Sequence, residues 1–504
     1  MATIIGTDAP ETLVGTEGND EIAGRGGADG INALGGNDNI YWTYGDGLDG
    51  VDGGAGIDVQ WAFITSGQGG PRRFSLGTNV LDPTRVDLRE GSGSIGDPQI
   101  VRLTVDNVEA LTLVVNMGAG GEFIVTDLSG TDLTGRITVN GLNTSGTALS
   151  GLIFRAATQA LVNQLVGFGT NLTDSFEGAL GNDIFYGYDG DDLLQGGSGG
   201  IDELVGGRGN DTYVADNQDA ILELQGEGRD RVLMTSSFYN VGANIEEVFF
   251  HGSGDFTAIG NGVNNFIVGG TGNDYLIGQS GNDTLYGGGG NNTLQGGTGN
   301  DLYLVESPGD TLVEFVNEGF DTVQTPLATF TLAPNVENLT YTGFGNFKGI
   351  GNEDNNVITG GVGSDYLIGG LGSDTLQGGA GGDILDGGAG YDVLIGGAGG
   401  DEMTGGEFAD MFVTSVYGDG VDMIHDFSRA EGDGIDVRAL TASLGTQGQD
   451  PFASGHLSFQ QGVVGGRQAT LVMFDPDGSA GPQGSVHYLT VIGTQPLSSS
   501  DFIF

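Results

Sequence analysis

The sequence predicts an all-β solenoid, a flattened coil of very short strands. Three observations predict it: 101 glycines among 504 residues, an aspartate recurring every nine residues, and an apolar residue two places after each. The pattern is densest from Gly360 to Val413, which reads GGVGSDYLI, GGLGSDTLQ, GGAGGDILD, GGAGYDVLI, GGAGGDEMT and GGEFADMFV. Asp365, Asp374, Asp383, Asp392, Asp401 and Asp410 keep the spacing, followed by Leu367, Leu376, Leu385, Leu394, Met403 and Phe412. A fixed period this short marks a repeat architecture. A flexible glycine-rich linker would not hold Asp and Leu in phase over six units.

Within one unit, paired glycines permit positive φ and a tight turn. The x-apolar-x triplet makes a short strand whose middle residue faces a core. Successive units alternate between the two faces of the coil, so two nonapeptides complete a turn. Aspartates eighteen residues apart then stack on one edge, Asp365 over Asp383 over Asp401. Each Asp sets a carboxylate at the end of its turn, beside turn carbonyls that point inward. Hard oxygen ligands of both kinds are what Ca²⁺ takes, about six to eight at a time.

These tandem units resemble the RTX (haemolysin-type) calcium-binding repeat, written G-G-x-G-x-D-x-U-x with U apolar. The resemblance implies a parallel β-roll, calcium held in the turns by the Asp carboxylate and glycine carbonyls, and secretion of the unfolded chain through a type I system. The ligands it implies in this run are Gly360, Gly363 and Asp365, then Gly369, Gly372 and Asp374. Next come Gly378, Gly381 and Asp383, then Gly387, Gly390 and Asp392, and finally Asp401. Phe408 and Ala409 stand where Gly-x is expected, which counts against Asp410 as a ligand and points to the end of the roll.

Residues 1–58 keep the same beat, with Asp20, Asp29 and Asp38 followed by Ile22, Ile31 and Ile40. Glu11 with Leu13 forms a degenerate first rung, and Asp49 and Asp58 close the run. Residues 59–173 lose it and turn to Val, Ile, Leu and Thr, as in IVRLTVDNVEALTLVV from Ile100, which reads as strands. LIFRAATQALVNQLVGF, from Leu152, is compatible with a short helix. The beat returns over 174–215 at Asp174, Asp183, Asp192, Asp202 and Asp211. Over 260–305 it carries Asn265, Asp274, Asp283, Asn292 and Asp301. Asn keeps one oxygen but loses the charge, so those two positions should give weaker sites or none. The last run spans 351–413.

A longer repeat overlies the short one. GGRGNDTYV at Gly206 and GGTGNDLYL at Gly296 lie ninety residues apart. Each is followed by E-G-x-D (Glu227 to Asp230, Glu318 to Asp321) and by N-[IV]-E-x-[VL] at Asn244 and Asn335. The linking segments 216–259 and 306–350 are thus metal-poor, more hydrophobic rungs of one coil. A third N-V-E-x-L at Asn107 makes 59–173 an elaborated version of the same linker.

Asp and Glu total 67 against 15 basic residues, a formal charge of −52, which excludes nucleic acid as a partner and repels anionic membranes. At this charge density the metal-free repeats should self-repel and stay disordered. Calcium binding is then folding free energy. No cysteine is present. The start, MATIIGTDAPETLVG, lacks the basic region and apolar core of a Sec leader, and no apolar run is long enough to span a bilayer. Another exit is therefore expected. Residues 414–504, ending Asp501-Phe-Ile-Phe504, resemble the C-terminal domain of serralysin-type proteins, which implies an uncleaved type I secretion signal. The alternative is a plain end cap for the coil, and the two readings are compatible.

The zinc helix of those proteases, H-E-x-x-H, is missing, and His251, His425, His456 and His487 share no helical spacing. GGSGG at Gly196 to Gly200 fits a nucleophile elbow only as chance allows in so glycine-rich a chain. Lys348 is the single lysine and no P-loop exists. Acids are everywhere, so a glycosidase pair stays open, but calcium commits most of them. The expected role is therefore non-enzymatic. It is that of a secreted or surface protein of a bacterium, a matrix, surface-layer or filament component that self-associates. The alternatives are an adhesin or effector that holds a glycan or host protein, and a polysaccharide-modifying enzyme. For the adhesin reading the contact would lie in 59–173, which carries Arg72, Arg73, Arg85, Arg89, Arg102, Arg136 and Arg155. Those arginines also suit a solvated face that offsets local acidity.

Overall fold

The structure is a computed structural model. It describes residues 2–5 and 12–14, the strand segments between 21 and 155, and then 164–169, 171–178 and 181–504 apart from 415–417, 419, 479–483 and 494. Two compact units, Met1–Gly252 and Ser253–Phe504, divide it. Both are parallel β-solenoids, as the nonapeptide period predicts.

In the second unit the strands Tyr366–Leu371, Ile384–Ala389 and Glu402–Glu407 stack in parallel, pairing Tyr366 with Ile384 and Ile384 with Glu402. The opposite face stacks Val357–Val362, Thr375–Ala380, Val393–Ala398 and Met411–Val413 in the same way. Partners lie eighteen residues apart, so two nonapeptides make one turn. Leu367, Leu376, Leu385, Leu394, Met403 and Phe412 are fully buried, and Ile267, Leu276, Leu285, Leu294 and Tyr303 repeat the pattern in the preceding run. Each coil supplies one apolar side chain per face to a narrow core, and backbone bonds between coils do the rest.

Glycine is favoured where one coil rests on the next. Gly381 has φ of +140°, and a β-carbon there would stand 1.8 Å from the Gly363 carbonyl oxygen one coil away. Phe408 takes the equivalent place with φ of +82°. Its ring lies 5.9 Å from that of Tyr391, a contact that offsets the strain of a left-handed aromatic residue.

The roll does not stop at Val413. Gly434–Asp436 pairs with Met411–Val413 and then with Phe502–Ile503, while Asp422–Ile424 pairs with Glu402–Glu407. A parallel ladder needs extended backbone at the right register, and no glycine turn is required for that. The tail closes with an antiparallel meander of Leu457–Val464, Arg467–Phe474 and Val486–Ile492, whose last strand joins Asp422–Ile424.

The first unit has the same plan. Thr3–Ile5, Glu21–Ala23, Asn39–Tyr44 and Val59–Thr65 form one face, continued by Ala110–Asn116, Arg136–Leu142, Gln164–Phe168 and Ile184–Asp189. Within 59–173 one reversal interrupts the other face, where Asp82–Gly91 runs antiparallel to both Gly50–Asp52 and Arg73–Asn79. The stretch compatible with a helix is strand at both ends, Ile153–Arg155 and Gln164–Phe168, because pairing with the neighbouring coil outweighs local propensity. Residues 156–163 lie outside the described residues.

Truncating one core side chain tests this architecture. Leu385→Ala should destabilise the calcium-loaded protein by about 2–5 kcal/mol, read as a fall in the denaturation midpoint. An unchanged midpoint would mean that Leu385 is not packed between coils.

Candidate metal centre

Each repeat aspartate serves two coils. Asp383 Oδ1 accepts the backbone N–H of Asp365 at 2.8 Å, and Asp401 Oδ1 accepts that of Asp383 at 2.9 Å. On the other edge Asp374 Oδ1 accepts from Asn356 at 2.7 Å, and Asp392 Oδ1 accepts from Asp374 at 2.8 Å. The same bonds link Leu165 to Asp183, Asp174 to Asp192, Asp183 to Asp202 and Asp192 to Asp211 in the first unit. In the second unit they link Phe256 to Asp274, Asn265 to Asp283 and Asp283 to Asp301. A side chain at the start of one strand thus caps an orphan amide of the coil before it.

The second oxygen is treated differently. Oδ2 of Asp192, Asp211, Asp274, Asp283, Asp301, Asp365, Asp374, Asp383, Asp392 and Asp410 is buried and has no hydrogen-bond partner. A β-carbon on Gly360 would stand 2.3 Å from Asp365 Oδ2 and 2.6 Å from the Gly378 carbonyl oxygen. Asp374 Oδ2 and the Gly387 carbonyl meet in the same way beside Gly369, and Asp392 Oδ2 and the Gly405 carbonyl beside Gly387. The absent side chain thus leaves a gap onto which a carboxylate and a carbonyl from the next coil converge. Beside Gly178, Asp183 Oδ2 meets the Gly196 carbonyl, and Asp202 Oδ2 lies beside Gly196 itself. The carbonyls of Gly363, Gly372 and Gly381 point at the matching glycines one coil on, Gly381, Gly390 and Gly399. Gly390 donates its own N–H to the Glu407 carbonyl.

The sequence counts against Asp410, yet the structure places it like its predecessors. Its Oδ1 accepts from Asp392 at 3.0 Å and its Oδ2 is buried, because Phe408 adopts the glycine-like φ. Asn292 keeps the first bond, accepting from Asp274, but its amide donates to Asp310. Asn356 likewise donates to the Val336 carbonyl. Asp20, Asp29, Asp38, Asp49 and Asp58 lie outside the described residues.

The columns also run through the linking segments, where no ligand is expected from the sequence. Asp219 and Asp230 accept from Asp202 and Asp211, and Glu246 accepts from Asp230. Asp310 and Asp321 accept from Asn292 and Asp301, and Glu337 accepts from Asp321. Asp422 and Asp433 extend the columns past the last nonapeptide. The signal was present in E-G-x-D and N-[IV]-E, but the spacing stretches from eighteen to nineteen or twenty and then shrinks to sixteen. Among the described histidines, His425 faces Glu402, His456 faces Ser454 and His487 faces Thr490, so these three do not converge.

The RTX calcium-binding nonapeptide repeat family (4 copies) matches residues 5–40, 168–200, 197–222, 259–294, 286–302, 349–376 and 377–412. The chain carries RTX calcium-binding repeats. Curated protein sequences return no match. Among solved structures, the extracellular lipase LipA from Serratia marcescens is similar over 55% of this chain and 45% of its own, with 19% identity and a TM-score of 0.15. The chain thus spans less than half the length of that lipase.

RTX repeats bind Ca²⁺ at multiple sites, and the oxygens fit that ion. Burial is the largest cause that pushes Asp192 up to about 8, Asp374 and Asp410 to about 7, and Asp283 and Asp383 to about 6. The N–H bond to Oδ1 opposes the shift without cancelling it. A divalent cation at the converging oxygens removes that penalty.

The pH dependence follows in sign. A carboxyl raised above its unfolded value near 4 supports the ion-free coil fully below that pH. The support is lost as pH rises through about 6–8, the folded values of these groups. With chelator, stability should therefore fall from pH 4 to pH 8. With calcium, protons compete for the same oxygens, so the calcium midpoint for folding should rise as pH is lowered. Circular-dichroism titrations across that range check both, and a pH-independent midpoint would count against buried carboxylates as the ligands.

Proposed function

We propose that this chain is exported unfolded, folds around calcium outside the cell, and serves there as a structural or surface component by self-association. The observation that carries this reading is the column of buried carboxylate oxygens with no hydrogen-bond partner. So many desolvated charges resist folding until a cation arrives. Extracellular calcium modules work at about 10⁻⁴–10⁻³ M, so sites of that kind stay empty during passage through a secretion channel.

The tail supports export before folding. Asp501 and Phe502 are buried in the folded chain. A type I machine that reads this segment must therefore meet it unfolded. Self-association is supported by charge and by surface. At −52 the chain is a polyanion that calcium can bridge between copies. Phe315, Val316 and Phe320 are 56%, 72% and 70% exposed on a single turn, more apolar surface than an isolated solvent-facing loop needs. The strand Leu457–Val464 is an open sheet edge.

Sedimentation and electron microscopy with and without calcium test the proposal. Disordered monomers are expected in chelator and in Mg²⁺, and ordered assemblies at about 10⁻³ M Ca²⁺. Folded, monodisperse monomers at that concentration would sink the structural role and leave the adhesin or effector reading.

A further inference from the structure

Two clusters of buried acids lie at the ends of nonapeptide runs, and the family match leaves most of their members out. One holds Asp211, Glu223 and Asp230, the other Asp301, Glu314 and Asp321, and in each one carboxylate oxygen from every residue lies within 4.8 Å of the other two. The matched residues stop at 222 and 302, so Glu223, Asp230, Glu314 and Asp321 fall outside them. All six side chains are at least nine-tenths buried. Among the described residues no arginine, lysine or histidine forms an ion pair with either cluster.

The local chemistry shows what the glutamates replace. In an ordinary repeat, Asp365 Oδ2 and the Gly378 carbonyl of the next coil meet beside Gly360. At the end of a run the next coil has no Gly-Gly turn to offer. Beside Gly296 the two nearest oxygens are Asp301 Oδ2, 2.2 Å from a built β-carbon, and Glu314 Oε1 at 2.7 Å. The carboxylate of Glu314 thus stands where a glycine carbonyl stands elsewhere.

A tyrosine holds it there. Tyr303 occupies the buried apolar position of its repeat, and its hydroxyl accepts the Gly296 N–H at 2.6 Å and donates to Glu314. Tyr213 does the same between Gly206, at 2.7 Å, and Glu223. That bond leaves one oxygen of each glutamate unspoken for. Glu223 Oε2, Asp211 Oδ2, Glu314 Oε2, Asp301 Oδ2 and Asp321 Oδ2 are all buried without a partner.

We propose that each cluster is a calcium site of a second kind, in which a linker glutamate positioned by a core tyrosine replaces the glycine carbonyl and fastens the linking segment to the last coil. Three carboxylates supply three negative charges around one divalent ion. Opposite ligands across Ca²⁺ stand about 4.6–5.2 Å apart, a span that accommodates the clusters. More ligand charge raises affinity, so these two sites fill before the nonapeptide sites. Tyr213 and Tyr303 are positioning residues, since each hydroxyl donates to its glutamate.

Calcium titration of the full chain, with ion counting by native mass spectrometry, tests this. Wild type should hold two ions more tightly than the rest. Glu223→Gln with Glu314→Gln should lose that pair while the remaining ions bind as before. Tyr213→Phe with Tyr303→Phe should keep the count and weaken the pair by about 10–100-fold. Equal counts and equal tight binding in wild type and the glutamine variant overturn the proposal, leaving shared protons as what neutralises the clusters. A chain that binds no calcium anywhere would overturn the functional reading as well, so the two failures are distinguishable. Should the glutamine variant not fold, wild-type crystals soaked in Tb³⁺ decide: anomalous peaks at both clusters support the sites, and their absence rejects them.

Discussion

Everything in this molecule depends on a carboxylate divided between two coils. One oxygen of each repeat aspartate is bound to an amide of the preceding coil, as Asp383 is to Asp365. The other, in Asp365, Asp374, Asp383, Asp392 and Asp410, is buried beside a glycine with no hydrogen-bond partner. The first bond sets the register and the second oxygen makes the register conditional. Neutral amides at the same places would satisfy the coil without any ion, as Asn292 and Asn356 do through their NH₂ groups. Aspartate instead leaves a buried oxygen free for a cation, in a chain of 67 acids and one lysine.

Because each gap is closed by atoms of two successive coils, a single coil cannot bind as a pair does. Stability then lies in nearest-neighbour contacts, the regime of repeat proteins. Order can spread from any loaded pair of coils, and each run needs a way to end. Where a linking segment follows, the ordinary partner carbonyl is missing and an acid from outside the repeat takes its place. Tyr213 and Tyr303 belong to this solution: as core residues they fill the apolar position, and their hydroxyls emerge where a backbone oxygen would otherwise be.

Much of this was legible in the residues. The spacing of Asp365 to Asp401 and the apolar residue after each one specify a coil of two nonapeptides, because period and burial are local properties of the chain. Where the period lapses, the pattern says less. The antiparallel strand Asp82–Gly91 and the closing meander are hairpins off the nine-residue beat, so the spacing that specifies the coil does not reach them. Asp230, Asp321, Glu246 and Glu337 escaped for another reason: their columns hold while the count of residues per coil changes, so a fixed period steps past them. Phe408 misleads in the opposite sense. An aromatic residue at a glycine position argues for termination, yet a tilted ring contact with Tyr391 accompanies the turn, and Asp410 with it keeps its shape.

Near residue 504 buried acids meet a different kind of cation. Asp436 and Asp501 are buried acids like the others, but Arg438 and Arg429 reach them. Arg429 donates to Asp501 from Nε at 2.6 Å and again through its terminal nitrogen, a two-pronged grip. Burial pushes both carboxyls up, and the bonds from arginine outweigh it, so each ends below the usual carboxylate range. A covalently attached cation has replaced a diffusible one. Arginine cannot serve in the repeats, since its side chain needs room that a glycine gap beside the next coil does not have. At the meander that crowding ends. The last strand, Phe502–Ile503, is thus pinned by an internal charge pair, Arg429 with Asp501, where it joins the coil at Ile435 and Asp436.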